Sequence, residues 1–204
     1  MLSKLLYGTR TSLAFGLLLT ILGSILGIIF GTLQGYFGGK TDILIGRLIE
    51  IWASMPSLFL ILMIPAPTVT ILISIMLFFN WLSLANTIRI EFLRARTLDY
   101  VIASQALGLH PIKIIIKHIL PNAYIGVKSH FPFIFNLSLV QLASFNFLSN
   151  YKTLFQHPSL GDLLLQDKYF QTPWLTGSII IVMTLTLSLL IFISEELNYY
   201  ASSS

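Results

Sequence analysis

The 204-residue chain contains no cysteine, and that single absence removes disulfides, thiolate metal sites and cysteine nucleophiles together. Charge is also scarce. Asp, Glu, Lys and Arg make up 10% of the residues, against about a quarter in an ordinary soluble domain. The four histidines, His110, His118, His130 and His157, are dispersed, and no HExxH pair occurs. Neither a metal site nor a catalytic constellation is therefore expected. Gly39-Lys40-Thr41 imitates the end of a phosphate-binding loop, but Gln34 stands where its first glycine is needed and a membrane-like helix precedes it in place of a strand. No cofactor is expected. The 12 Lys and Arg exceed the 8 Asp and Glu, yet they cluster beside apolar runs and form no stripe, which points to membrane topology and not to nucleic acid.

What fills the chain is apolar: 55% hydrophobic residues and a mean hydropathy of +0.85. The expected fold class is all-α, a polytopic transmembrane helical bundle in the lipid bilayer. Five spans are predicted, at about 12–36, 43–64, 69–90, 124–148 and 174–194, each long enough to cross a ~30 Å hydrocarbon core. In the first, Gly23, Gly27, Gly31 and Gly35 recur every four residues and so line one face, suited to close helix packing. In the second, Arg47 and Glu50 are spaced to pair, and Pro56, within Ser54-Met55-Pro56-Ser57, predicts a kink that frees a backbone carbonyl. Pro65-Ala66-Pro67 makes a short external link to the third span, where Asn80, Ser83 and Thr87 share a face. Asn136, Ser138, Gln141, Ser144 and Asn146 make the fourth span the most polar. These residues suit either hydrogen bonding between helices or a translocation route. Segment 150–173 is the one sizeable external stretch, with a short amphipathic helix expected at Leu160–Leu165 on the outer surface; Trp174 and Glu195-Glu196 bound the last span.

The stretch 99–123, DYVIASQALGLHPIKIIIKHILPNA, is polar and basic by comparison. A short helix over 99–107 carries an apolar stripe at Tyr100, Ala103 and Leu107, and Gly108 stands at its left-handed stop. Pro111 suits the first turn of a second helix, which should end at Pro121. The first helix is too short to be stable alone in water, so it needs something to dock against. Arg89, Arg94, Arg96, Lys113 and Lys117 place this loop, 94–122, on the cytoplasmic side, and Lys40 and Arg47 come out on the same side.

Ala103, Ala106, Leu107 and Gly108, followed at a fixed interval by Leu120-Pro121-Asn122-Ala123, resemble the EAA loop of binding-protein-dependent ABC importer permeases of the dipeptide, oligopeptide and nickel branch. The string GYFGGKTD resembles the peptide permeases at large, and RLIEIWASMPSLFLIL and HPSLGDLLLQ are similar to the subgroup that imports oligopeptides and microcin C. Ile102-Ala103-Ser104 replaces the family's acidic residue and two alanines, Gln105 replaces a frequent arginine, and YKTLFQ, at 151–156, replaces a commonly glycine-rich part. The resemblance implies that Tyr100, Ala103, Ser104, Ala106, Leu107, Gly108, Leu120 and Pro121 couple to an ATPase. It offers Ser54, Pro56, Ser57, Asn80, Ser83, Asn136, Ser138, Gln141 and Ser144 as candidates for the substrate path.

The opening MLSKLLYGTRTSL has charges before an apolar run, as a signal peptide has, but the run is too long and no small-residue cleavage site ends it. A similar string in the family follows a first transmembrane helix, so the resemblance implies a periplasmic lead-in at 1–11 and a single permease domain over 12–204 that lacks the family's first helix. The implied function is the inner-membrane permease subunit of an ATP-driven peptide importer. It is not itself an enzyme. Its implied partners are ABC ATPase subunits, a second permease, a periplasmic substrate-binding protein and a peptide substrate. The competing readings are a free-standing channel, an intramembrane enzyme, and a degenerate permease without transport activity.

Overall fold

A computed structural model describes residues 2–64, 68–148, 158–166 and 173–203. Among these every regular element is helical: α1 (Leu2–Phe37), α2 (Gly39–Ala53), α3 (Ser57–Leu62), α4 (Val69–Ala95), α5 (Asp99–Ala106), α6 (Pro111–Ile114), a π turn (Ile115–Ile119), α7 (Leu120–Leu148), α8 (Leu160–Gln166) and α9 (Pro173–Ser203). The 65–67 link and most of the external segment, 149–157 with His157 and 167–172, lie outside the described residues.

Among the described residues four helices are long and apolar enough to cross a membrane, in the segments Ser3–Phe37, Val69–Ala95, His130–Leu148 and Thr176–Leu197. The span expected over 43–64, with its kink at Pro56, stands as two short helices, neither long enough to cross a membrane alone. Pro56 has no N–H to give to the carbonyl of Trp52, which instead accepts from Met55 at 3.1 Å in a tighter turn. The carbonyl of Pro56 then opens α3 by accepting from Phe59 at 3.0 Å. Residues 2–11, expected as a lead-in, are helical and continuous with the first span. At 1.5 Å per residue α1 is ~54 Å long, well beyond the hydrocarbon core.

The glycine face of α1 packs on α4, as its spacing suggests. A Cβ on Gly31 would lie 2.6 Å from the carbonyl oxygen of Ala85, and one on Gly35 would lie 2.5 Å from Cβ of Phe92. Only a bare backbone permits this approach. The two ends of the bundle are then well defined. At one end Phe92, Ala95, Val101, Ile114, Ile119 and Ala123 form a core beside the 99–123 loop; at the other, Leu160 and Leu163 of α8 pack with Ile179 of α9. Gly8, near the start of α1, faces Leu163, whereas Gly35, near its finish, faces Phe92.

Helix α8 forms where expected but not on the outer surface. Leu160, Gly161, Asp162 and Leu163 are buried. Gly161 makes this possible, since a Cβ there would lie 2.5 Å from the carbonyl oxygen of Ala143. Ser159 and Asp162 form a reciprocal cap: the Ser159 hydroxyl accepts from the Asp162 N–H at 3.2 Å, and the Asp162 carboxylate accepts from the Ser159 N–H at 2.8 Å. Asn146 of α7 donates to the Ser159 hydroxyl at 2.6 Å. One member of the polar run on α7 thus holds α8.

Candidate functional site

The 99–123 loop leaves α4 through a tight connection. Thr97 N–H donates to the carbonyl of Arg94 at 3.3 Å and Leu98 N–H to that of Ala95 at 3.2 Å, so α5 follows α4 without slack. Helix α5 turns Val101 and Ser104 into the bundle, three residues apart on one face; the Ser104 hydroxyl bonds back to the carbonyl of Tyr100 at 2.7 Å. The expected stripe of Tyr100, Ala103 and Leu107 lies beside that face and is exposed, as is Ala106. Leu107, at the end of the stripe, is therefore not apolar for the sake of packing within this chain.

Gly108 ends α5 as its sequence position suggests. Its φ is +73°, its N–H donates to the carbonyl of Gln105 at 2.9 Å, and Leu109 N–H donates to that of Ser104 at 3.2 Å. These two bonds make up a Schellman motif, which satisfies the last carbonyls of the helix. Pro111 occupies the first turn of α6, where the His110 ring accepts from the Ile112 N–H at 3.4 Å. Leu107 is 81% exposed, and Ile102, Ile112 and Ile116 are each at least half exposed. Lys113 and Lys117 stand among them.

The second helix does not stop at Pro121. It runs on into α7 through the π turn, in which Leu120 N–H reaches the carbonyl of Ile115. Pro121 would lack a donor for Lys117 and crowd its carbonyl in a regular helix, and the widened turn just before it relieves that conflict. Leu120 is half-buried and Pro121 exposed, and Asn122 donates to the Tyr100 hydroxyl at 2.7 Å, tying the start of α7 to α5. The Tyr100 and His118 rings lie 6.5 Å apart.

The candidates for the path are not one cluster. Asn80 of α4 and Ser138 of α7 are buried and bonded to each other at 2.9 Å. Ser83 is exposed, 3.2 Å from the His130 ring. Asn80 and Ser83 line a 250 Å³ cavity with Ile49, Ala53, Asn86 and Leu137. Ser54 bonds its own helix at the carbonyl of Ile51, Pro56 and Ser57 begin α3, and Asn136, Gln141 and Ser144 are half-buried along α7.

Sequence reasoning missed one pairing. Arg47 and Glu50 do form their expected ion pair, at 2.7 Å on the exposed face of α2. Arg89, read only as a topological charge, reaches across to Asp42 with both prongs of its guanidinium, Nη2 lying 2.7 Å from Oδ2. The hydrogen bond from Arg89 holds the Asp42 carboxyl below its ordinary range, against an opposing push from partial burial. The partners are 47 positions apart, so no local spacing rule could join them.

These features define a class: a helical membrane domain with a broken helix on its flank and an apolar-tipped loop at one end. A family model described as "Binding-protein-dependent transport system inner membrane component" matches residues 12–202, and the chain belongs to that family. It is 45% identical over 201 residues to the inner membrane ABC transporter permease protein YejE of Escherichia coli (strain K12), covering 97% of this chain and 59% of the relative. It is 43% identical over 200 residues to the peptidoglycan transport system permease protein YejE of Agrobacterium fabrum, covering 96% and 52%. The oligopeptide transport system permease protein OppC of Bacillus subtilis is 33% identical over 120 residues, 57% of this chain and 39% of the relative. The chain thus spans little more than half the length of the two YejE relatives. A chain of the MetNI methionine ABC transporter has the same fold, with a TM-score of 0.79 at 17% identity over 98% of this chain and 97% of that one.

Proposed function

We propose that this chain is the inner-membrane permease subunit of an ATP-driven peptide importer, and that the 99–123 loop docks into an ABC ATPase on the cytoplasmic side. The observation that carries this reading is the bare apolar surface of the loop. Leu107, Ile102, Ile112 and Ile116 are exposed at the end of the bundle, among Lys113 and Lys117. Apolar side chains on the lipid-facing flanks need no explanation in a membrane protein, but a patch at the basic end does. A protein groove that buries them accounts for it, and the Schellman stop at Gly108 fixes the angle at which they are offered. The loop end is cytoplasmic because the basic residues gather there, and the end with α8 is periplasmic.

Docking of the ATPase shifts the permease between conformations only as far as it binds them unequally. Peptide is the cargo class, by similarity to the oligopeptide transport system permease protein OppC. A second permease completes the path and a periplasmic binding protein delivers the substrate. The protein, co-expressed with an ABC ATPase and a second permease of a peptide importer from the same organism, should co-purify with both and drive ATP-dependent uptake of labelled peptide into proteoliposomes. Solute flux through this chain in the absence of any ATPase would favour the free-standing channel and refute the proposal.

A further inference from the structure

Arg89 is an ionisable residue inside a membrane-length helix, and it faces protein, paired with Asp42 of α2. Such residues are costly to place and are commonly tied to function. Three observations set this pair apart from a rivet of no further use. The first is where Arg89 sits: on α4, whose end passes into α5 through the tight turn at 96–98. The second is a companion contact. Arg96, on the last turn of the same helix, points Nη1 at the carbonyl oxygen of Gly35, 3.5 Å away, and fills the space beside Gly38, where a Cβ would lie 2.6 Å from that nitrogen. Gly38 has φ +62° and Gly39 φ +52°, so α4 grips the α1–α2 turn on both sides, at the end of α1 and at the start of α2.

The third is what lies beyond the bridge. Between Asp42–Arg89 and the apolar contact of Ile49 with Trp81, Leu82 and Ala85, α2 and α4 enclose a 320 Å³ opening lined by Gly46, Arg47, Glu50 and Asn86. The bridge is therefore the polar tie that fixes the start of α2 to α4. Gln34 of α1 also reaches this place, donating to the carbonyl of Asp42 at 3.2 Å while its own Oε1 stays buried without a donor.

We propose that Asp42 and Arg89 are a positioning pair that carries displacement of the 99–123 loop out of α4 into α2, and so to the break at Pro56. The proposal rests on the coupling role given to that loop above. A bidentate guanidinium–carboxylate pair suits the task, because it fixes orientation as well as distance. Both charges are partly buried, and losing either partner leaves the other unpaired between the helices, so the bridge holds the two helix segments together. Arg47–Glu50, an exposed pair within α2, has no such role and serves as an internal control.

The test uses the complete transporter, with its ATPase and second permease, in proteoliposomes. Asp42→Asn and Arg89→Gln break the bridge, the exchanged double variant Asp42→Arg/Arg89→Asp rebuilds it, and Arg89→Lys keeps the charge needed for insertion but loses the fork. Glu50→Gln is the control. Expected for the bridge-breaking variants is normal ATPase co-purification and continued ATP hydrolysis, with peptide taken up per ATP falling by about 5- to 150-fold, the range of ordinary coupling energies. The exchanged variant recovers most of the loss, Arg89→Lys lies between, and Glu50→Gln matches the wild type. Wild-type uptake per ATP in Arg89→Lys and in whichever single variants insert overturns the proposal, as does loss of ATPase binding in those variants, which would make the bridge a scaffold for the loop. If the unmodified complex hydrolyses ATP but takes up no peptide, the importer reading falls first and the positioning role with it.

Discussion

Replacing Gly108 by valine isolates the contribution of loop geometry from that of loop surface. A Cβ at this position meets no atom within 4 Å, so the substitution causes no collision with the rest of the protein. Its whole cost is local. At φ +73° a side-chain residue brings Cβ against the following carbonyl, for about 1–2 kcal/mol, and β-branching adds to it. If the chain relaxes to a negative φ instead, the bonds from Gly108 to Gln105 and from Leu109 to Ser104 are lost, each worth about 0.5–1.5 kcal/mol. The first outcome weakens the stop, and the second ends α5 at a different angle and draws Leu109 out of the core that it helps to cover. The bundle is untouched. Gly108→Val should therefore insert normally and keep its partner permease, yet co-purify poorly with the ATPase and lose transport. Gly108→Asn is the control, because asparagine tolerates the left-handed region, and it should retain most activity. Normal ATPase association and uptake by Gly108→Val would refute the reasoning that the stop at Gly108 aims a docking helix.

Ser104→Ala should be tolerated with near-normal ATPase association, since only a bond within its own helix, to Tyr100, is removed; a large loss of transport would show that the hydroxyl has a partner beyond this chain. In this cysteine-free chain, single cysteines at Leu107 and Gln156 should label oppositely with an impermeant reagent in intact cells, Gln156 from outside and Leu107 only after permeabilisation; Ser104, being buried, is the poorer probe. Gly35→Ala should destabilise the bundle by about 1–3 kcal/mol in detergent unfolding, because its Cβ would come within 2.5 Å of Cβ of Phe92. Asn80→Ala and Ser138→Ala should show a coupling energy of about 0.6–1.7 kcal/mol in a double-mutant cycle, as glue between α4 and α7; strictly additive effects would show that their 2.9 Å bond carries nothing.

Local chemistry was legible in the sequence wherever one residue type has one structural use. Gly108 and Pro111 took their expected places because left-handed φ and a helical first turn select those residues so strongly. Four of the five expected spans stand out by length and hydropathy alone. Proline was harder to read. Pro56 breaks its span in two, whereas Pro121 and Pro132 sit inside a helix that continues. The difference lies in how the freed carbonyl is accommodated: a tight turn at Trp52, a π turn ahead of Pro121. Neither is encoded in the proline itself. Burial of α8 depends on Gly161 meeting Ala143, and the ion pair depends on Asp42 meeting Arg89, both consequences of tertiary placement. The apolar stripe of α5 was visible, but periodicity alone could not tell whether it packs against this chain or away from it.

The continuity through Pro121 changes what the loop can transmit. Had the second helix ended there, α7 would begin from a flexible joint, and a displacement of α5 and α6 would be absorbed before it reached the membrane. Instead α6, the π turn and α7 form one unbroken helical path from Pro111 to Leu148, stiff at least as far as Pro132, about 18 Å beyond Leu120. On the other side α5 joins α4 through the bonded turn at 96–98, and Asn122 donates across the loop to the Tyr100 hydroxyl. The loop is thus a closed bracket standing on two helices, and those helices are bonded again deeper down through Asn80 and Ser138. On the proposed function, an ATPase that moves this bracket must move α4 and α7 as a pair. The remaining freedom lies in what α4 takes with it, which is α2 through Asp42, and in how far the break at Pro56 lets α3 stay behind.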